Sequence, residues 1–108
     1  MNPKLGNRIW NEEIFGPVMT IKTFKTEEEE IELANETTYG LASTIYTSSS
    51  TRGLRVASSI ESGGVAINSP FFPEPQTPFG GMKESGNGRE LGEEGLTAYL
   101  EPKSIHIK

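Results

Sequence analysis

Residues 41–67 read LASTIYTSSSTRGLRVASSIESGGVAI, and their pattern decides the fold class. Leu41 to Thr47 carries Leu41, Ala42, Ile45 and Tyr46 in a short β-prone run. Ser48 to Thr51 is a cluster of residues whose side-chain oxygens cap helix N-termini. Leu54, Val56, Ala57 and Ile60 follow at near-helical spacing, and Gly63-Gly64 is expected to close that helix in the left-handed conformation open to glycine. Val65-Ala66-Ile67 then reads as a short buried strand. A strand, a helix and a strand joined by short loops favour parallel pairing, with the helix packed on the sheet.

Upstream, Val18 to Phe24 alternates side to side and reads as another strand. Thr26 and Glu29 form a T-x-x-E capping box, and Glu27 to Glu30 make an acidic first turn suited to a helix N-terminus. Ile31, Leu33 and Ala34 give that helix a short apolar face, and Asn35 to Gly40 ends it. The predicted order to this point is β-α-β-α-β, an α/β arrangement. Downstream the composition shifts: eight of the 12 Gly and five of the 7 Pro lie beyond residue 62. Asn68 to Arg89 is therefore a long structured loop, of the kind that is functional more often than idle. Phe71, Phe72 and Phe79 argue against disorder there. Leu91, Leu96, Tyr99 and Leu100 suggest a short helix despite Gly92 and Gly95. Ile105 and Ile107 alternate with polar residues in a terminal strand too short to stand alone, which must pair elsewhere.

Composition narrows the function classes. Apolar residues are 33% of 108 residues, a mild deficit that points to a core completed by neighbours. The net charge is −5 with no basic stripe, which argues against nucleic acid and against an anionic membrane surface. No apolar run approaches the ~20 residues of a membrane span. Met1 to Asn11 has no apolar leader segment, so a cytoplasmic location is expected, and the sequon Asn35-Glu36-Thr37 carries no weight. The chain has no cysteine and a single His, His106, which exclude within it disulfides, Cys-based metal sites, a Cys nucleophile and a Ser-His-Asp triad.

Three motifs bear on chemistry. Gly86-Asn87-Gly88-Arg89-Glu90-Leu91-Gly92 has the spacing G-x-G-x-x-x-G, not that of a dinucleotide fingerprint, and reads as turns. Glu12-Glu13-Ile14-Phe15-Gly16-Pro17 sets two carboxylates before an aromatic and a turn. Its residues alone leave two readings open: an acceptor for ribose hydroxyls with Phe15 against a flat heterocycle, or a solvated loop with a core Phe. Phe71, Phe72, Pro73, Pro75, Pro78 and Phe79 form a stiff apolar cluster, either the lining of a pocket or a satellite core.

Taken in order, Glu12 to Val18, Ala34-Asn35, Tyr39 to Ala42, Gly64 to Asn68, Pro78 to Gly86, Gly88 to Glu90, Gly95-Leu96, Tyr99 and Lys103 resemble the C-terminal part of the aldehyde dehydrogenase superfamily. The resemblance runs from about Ile9 to Ile107. It implies the end portion of an α/β catalytic domain over residues 1–100 and an oligomerisation strand over 101–108. It implies oxidation of an aldehyde with NAD or NADP as acceptor, and a homo-oligomer joined through the terminal strand. It places the ribose-binding carboxylate on Glu13, the aromatic near the nicotinamide on Phe15, and a border of the substrate pocket on Phe79. The family's upstream pocket aromatic falls on Pro73, leaving Phe71 or Phe72 to take its place. The family's catalytic Cys, general-base Glu and oxyanion-hole Asn belong to segments upstream of these motifs. No catalytic residue and no metal ligand is therefore expected here, and the chain alone is expected to be an inactive, truncated product. The alternatives are a module that docks on full-length subunits by strand addition, or a remnant without function.

Overall fold

The structure is a computed structural model that describes residues 7–108. A single turn, α1 (Arg8–Asn11), opens it, and α2 (Glu27–Asn35) follows. Then come β1 (Tyr39–Gly40), β2 (Ala42–Ile45), α3 (Ser50–Ala57), β3 (Gly64–Ile67), β4 (Met82–Lys83) and α4 (Gly92–Thr97). β2 and β3 pair in parallel, with Ala42 opposite Gly64 and Ile45 opposite Ile67. β1 and β4 pair antiparallel, Tyr39 with Lys83 and Gly40 with Met82. Helices and strands are mixed, as in an α/β chain, and the parallel β2–α3–β3 unit has the predicted form, but the expected β-α-β-α-β order is not met, since no strand precedes α2 and like elements follow one another at α1–α2, β1–β2 and β3–β4.

Local chemistry sets the helix starts. The Glu29 N–H donates to Thr26 Oγ1 at 3.2 Å, and Glu29 Oε2 accepts from the Lys25 N–H at 2.7 Å. The reciprocal half of the capping box thus reaches one residue further back than its usual partner. Ser49 Oγ caps α3 through the Arg52 N–H.

α3 packs on β3, and its buried or half-buried residues Gly53, Val56 and Ala57 are spaced i, i+3, i+4. A Cβ on Gly53 would stand 3.0 Å from Ile67 Cγ2 and 3.2 Å from Thr47 Cγ2, so the missing side chain lets helix and strand close together. Leu54, expected on this face, points to solvent. At the far end of the ladder the Asn68 side chain continues it. Its Oδ1 accepts from the Thr47 N–H and its Nδ2 donates to Thr47 O, both at 2.8 Å.

Two expectations are corrected. Val18 to Phe24 is not a strand: no ladder forms on it among the described residues, because alternation supplies a face while a strand also needs a neighbouring backbone. Gly63-Gly64 does not close a helix. α3 ends at Ala57, and neither glycine has a positive φ. Their need is for space: a Cβ on Gly63 would collide with Gly80 O, and one on Gly64 with the Phe71 ring.

The core is thin. Among the described residues Val56, 2% exposed, is the only fully buried large apolar side chain. The accessible surface is 8835 Å², against about 5,900 Å² for a folded monomer of this mass. The radius of gyration is 17.7 Å, against about 13 Å for a compact domain of this length. The segment carrying Ile105 and Ile107 runs out without a ladder partner among the described residues. No helix among them is long and apolar enough to cross a membrane. Made as these 108 residues alone, the chain is expected to self-associate or to melt without a cooperative transition. A monodisperse monomer with a sharp thermal transition would overturn this.

α2 and α3 are tied by charge. Glu27 accepts from Arg55 Nε at 2.7 Å and Nη2 at 2.8 Å, and Arg52 Nε stands 3.3 Å away. The Arg55 hydrogen bonds, more than its charge or that of Arg52, hold the Glu27 carboxyl below its ordinary range. A depressed carboxyl stabilises the fold above the pKa of the unfolded chain, and that contribution disappears as pH falls through the folded value. In the folded protein, Glu27→Gln is expected to speed amide exchange in α3 at neutral pH and to match the parent below the carboxylate range. A difference that persists at the acidic end would show that packing, not charge, joins the helices.

Candidate functional site

Two clefts meet at Leu41 and Ser85, which line both. The first, about 470 Å³, lies between the N-terminal segment Trp10 to Glu13 and a wall made of Thr37, Tyr39, Gly40, Glu61 and Ser62. The second, about 720 Å³, lies between Phe79, the loop from Gly80 to Leu91, and Leu96 and Tyr99 of the last helical turn and beyond.

In the first cleft the paired carboxylates have separate fates. Arg8 Nε and Nη2 each donate to Glu12 at 2.9 Å, an i, i+4 fork that occupies both oxygens and raises the Arg8 pKa. Glu13 makes no hydrogen bond or ion pair among the described residues, and it lines the cleft. Phe15, two residues on, is 93% exposed. Trp10 places its indole N–H out of reach of solvent with no acceptor among the described residues. A buried donor without a partner has to be satisfied by something further.

The wall opposite is held by long-range polar contacts. The Gly40 N–H donates to Ser85 Oγ at 2.9 Å, while Gly40 O accepts from the Gly63 N–H at 3.0 Å. Lys83 adopts φ 53°, a left-handed conformation that costs a side-chain-bearing residue about 1–2 kcal/mol. From there its ammonium donates to Asn35 O at 2.6 Å and Thr37 O at 3.0 Å, and pairs with Glu61 Oε2 at 2.8 Å. Asn35 completes the brace: its Oδ1 accepts from the Glu61 N–H and its Nδ2 donates to Ser59 O, both at 2.8 Å. Ser85, Lys83 and Asn35 were not singled out in the sequence as site residues. Their partners lie 22 to 48 residues away in the chain, and no local spacing announces them.

In the second cleft, Phe79 and Glu90 exchange backbone hydrogen bonds at 2.7 and 2.8 Å, closing the loop between them. Arg89 Nη1 donates to Gly81 O and Gly88 O inside it. Gly86, Gly88 and Gly92 all have positive φ, the turn geometry that glycine admits without strain. Phe79 stacks on Phe71 with ring centroids 6.4 Å apart and planes 23° apart. Phe72 is 71% exposed, and Pro73 is also exposed. Of the four residues expected at the pocket, the structure therefore brings Phe71 and Phe79 together and leaves Phe72 and Pro73 outward. Glu13 and Phe79 line different clefts. No group of three or more His, Asp or Glu side chains able to hold a metal ion occurs among the described residues.

With this geometry in view, the comparisons with known proteins give one result. The model of the aldehyde dehydrogenase family matches residues 1–105. The chain is 52% identical over 101 residues to aldehyde dehydrogenase 1A1 of Gallus gallus, covering 94% of this chain and 20% of that protein. It is 50% identical over 100 residues to the chloroplastic betaine aldehyde dehydrogenase of Atriplex hortensis, covering 91% and 20%. Among solved structures it resembles betaine aldehyde dehydrogenase from Staphylococcus aureus in complex with NAD+, with a TM-score of 0.88 and 46% identity over 93% of this chain and 20% of that one. The chain belongs to the aldehyde dehydrogenase family, and it spans about a fifth of the length of the curated relatives it matches.

The Phe71 ring is seated where a Gly64 side chain would be. Gly64→Ala is expected to push Phe71 off Phe79 and to destabilise the fold by about 1–3 kcal/mol, the usual cost of overpacking. Thermal melting of the variant in the intact enzyme checks this; an unchanged Tm would show that the ring has room to yield.

Proposed function

We propose that this chain forms one wall of the nicotinamide–ribose site and the aromatic border of the aldehyde pocket in an NAD- or NADP-dependent oxidation of aldehydes. The observation that carries the reading is the split between the neighbouring carboxylates: Arg8 holds Glu12, and Glu13 is left open on the cleft. An ionised carboxylate is acceptor-only and suits the two hydroxyls of a ribose. Thr37, Tyr39 and Ser62 also line the cleft, so its chemistry is polar, in keeping with a hydroxylated ligand. Phe15 offers an exposed flat face two residues away. When bound, the nicotinamide supplies the hydride acceptor.

The part played by these residues is orientation. No cysteine is present in the 108 residues, so the thiolate that attacks the aldehyde is not among them. Glu13 fixes the ribose and Phe15 limits the tilt of the ring. Phe79, braced by Phe71, gives the aldehyde's substituent an apolar surface. A homo-oligomer joined through the terminal segment accompanies this reading, because Ile105 and Ile107 are 76% and 93% exposed on an extended segment.

In the intact enzyme, Glu13→Gln loses a charge-assisted hydrogen bond worth about 1.5–3 kcal/mol. It is expected to weaken cofactor binding or slow hydride transfer by about tenfold or more. Glu12→Gln, whose carboxylate faces Arg8, is expected to leave both within about twofold. Equal effects of the two substitutions on cofactor kinetics would remove the assignment of Glu13.

A further inference from the structure

Lys83 is not among the residues lining the Glu13 cleft, yet two residues that do, Thr37 and Glu61, are direct partners of its ammonium. The third partner, Asn35 O, belongs to the residue whose side chain grips the Glu61 N–H. Lys83 therefore fixes the end of α2, the loop after α3 and β4 relative to one another from a single point. Its side chain is 24% exposed and its backbone is held in a left-handed conformation, so the ammonium is delivered inward rather than left on the surface. β4 also pairs with β1, and Ser85, two residues on, holds the Gly40 N–H. All of these contacts converge on the wall that faces Glu13.

We propose that Lys83 is a positioning residue for the cofactor cleft, acting through Thr37 and Glu61 to set the distance between that wall and Glu13. The proposal rests on reading the Glu13 cleft as the nicotinamide–ribose site. A neutral side chain of similar length would leave the carbonyls of Asn35 and Thr37 and the carboxylate of Glu61 without their shared donor, and the wall would relax toward solvent. The aldehyde-side pair Phe71–Phe79 sits over Gly64 and does not use the clamp.

The test is Lys83→Met and Lys83→Arg in the intact enzyme, with affinity for NAD+ and NADP+ and the KM for the aldehyde measured separately. Lys83→Met is expected to weaken cofactor affinity by about tenfold and to leave the aldehyde KM within about twofold. Lys83→Arg, which keeps the charge, is expected to recover most of the loss. Glu61→Gln is expected to show the same split, and the double variant no more than the larger single effect, as for groups in one network. If Lys83→Met does not fold, Glu61→Gln decides on its own. Unchanged cofactor affinity, a parallel rise in both constants, or full additivity would overturn the proposal. Glu13→Gln is run beside them: if it changes nothing while Lys83→Met weakens the cofactor, the positioning role stands and the ribose reading falls. If only Glu13→Gln has an effect, the positioning role falls alone.

Discussion

The arrangement of both clefts depends on Gly40, where three stretches of chain pass too close together for any side chain. Its N–H is held by Ser85, its C=O by the Gly63 N–H, and a Cβ there would meet Glu61 O at 2.5 Å. Gly63 in turn lies against Gly80, and Gly80 against Gly88 and Arg89. The result is a file of backbone-to-backbone contacts running from β1 to the loop before α4. At Gly40, Gly63 and Gly80 glycine is required because of proximity, not conformation, since none of the three has a positive φ.

Such a file replaces part of what a hydrophobic core normally does. Val56 is the only fully buried large apolar side chain among the described residues, while Val18, Met19, Ile21, Phe24, Tyr99 and Leu100 are exposed. Polar bonds can fix the relative geometry of short segments without supplying much net stability, because each replaces a bond to water. The chain thus has well-defined local walls on a body whose cohesion has to come from outside them.

What the sequence disclosed follows the same division. The Thr26–Glu29 cap, the Ser49 cap and the parallel β2–α3–β3 unit were legible because their causes lie within a few residues of each other. Val18 to Phe24 misled because alternation was read without its missing partner. Leu54 misled because hydrophobicity was weighed above contact, and the face that packs is built on Gly53 instead. At the site, the sequence could not choose between Phe71 and Phe72. The ring that meets Phe79 is the one with Gly64 beneath it, a pairing across seven residues that spacing does not encode. The difference between Glu12 and Glu13 was closer to hand, since Arg8 stands four residues before Glu12 and such pairs share a helix face.

That difference shows how one turn of helix can assign two identical side chains to two tasks. α1 ends at Asn11, and Glu12 caps it while still within reach of Arg8. Glu13 is the first residue beyond that reach, and its carboxylate makes no ion pair among the described residues. Both carboxylates line the cleft, and the i, i+4 spacing from Arg8, fixed in the sequence, decides which of them is paired. Arg8, far out on the surface and weak as a source of stability, makes that choice by occupying Glu12.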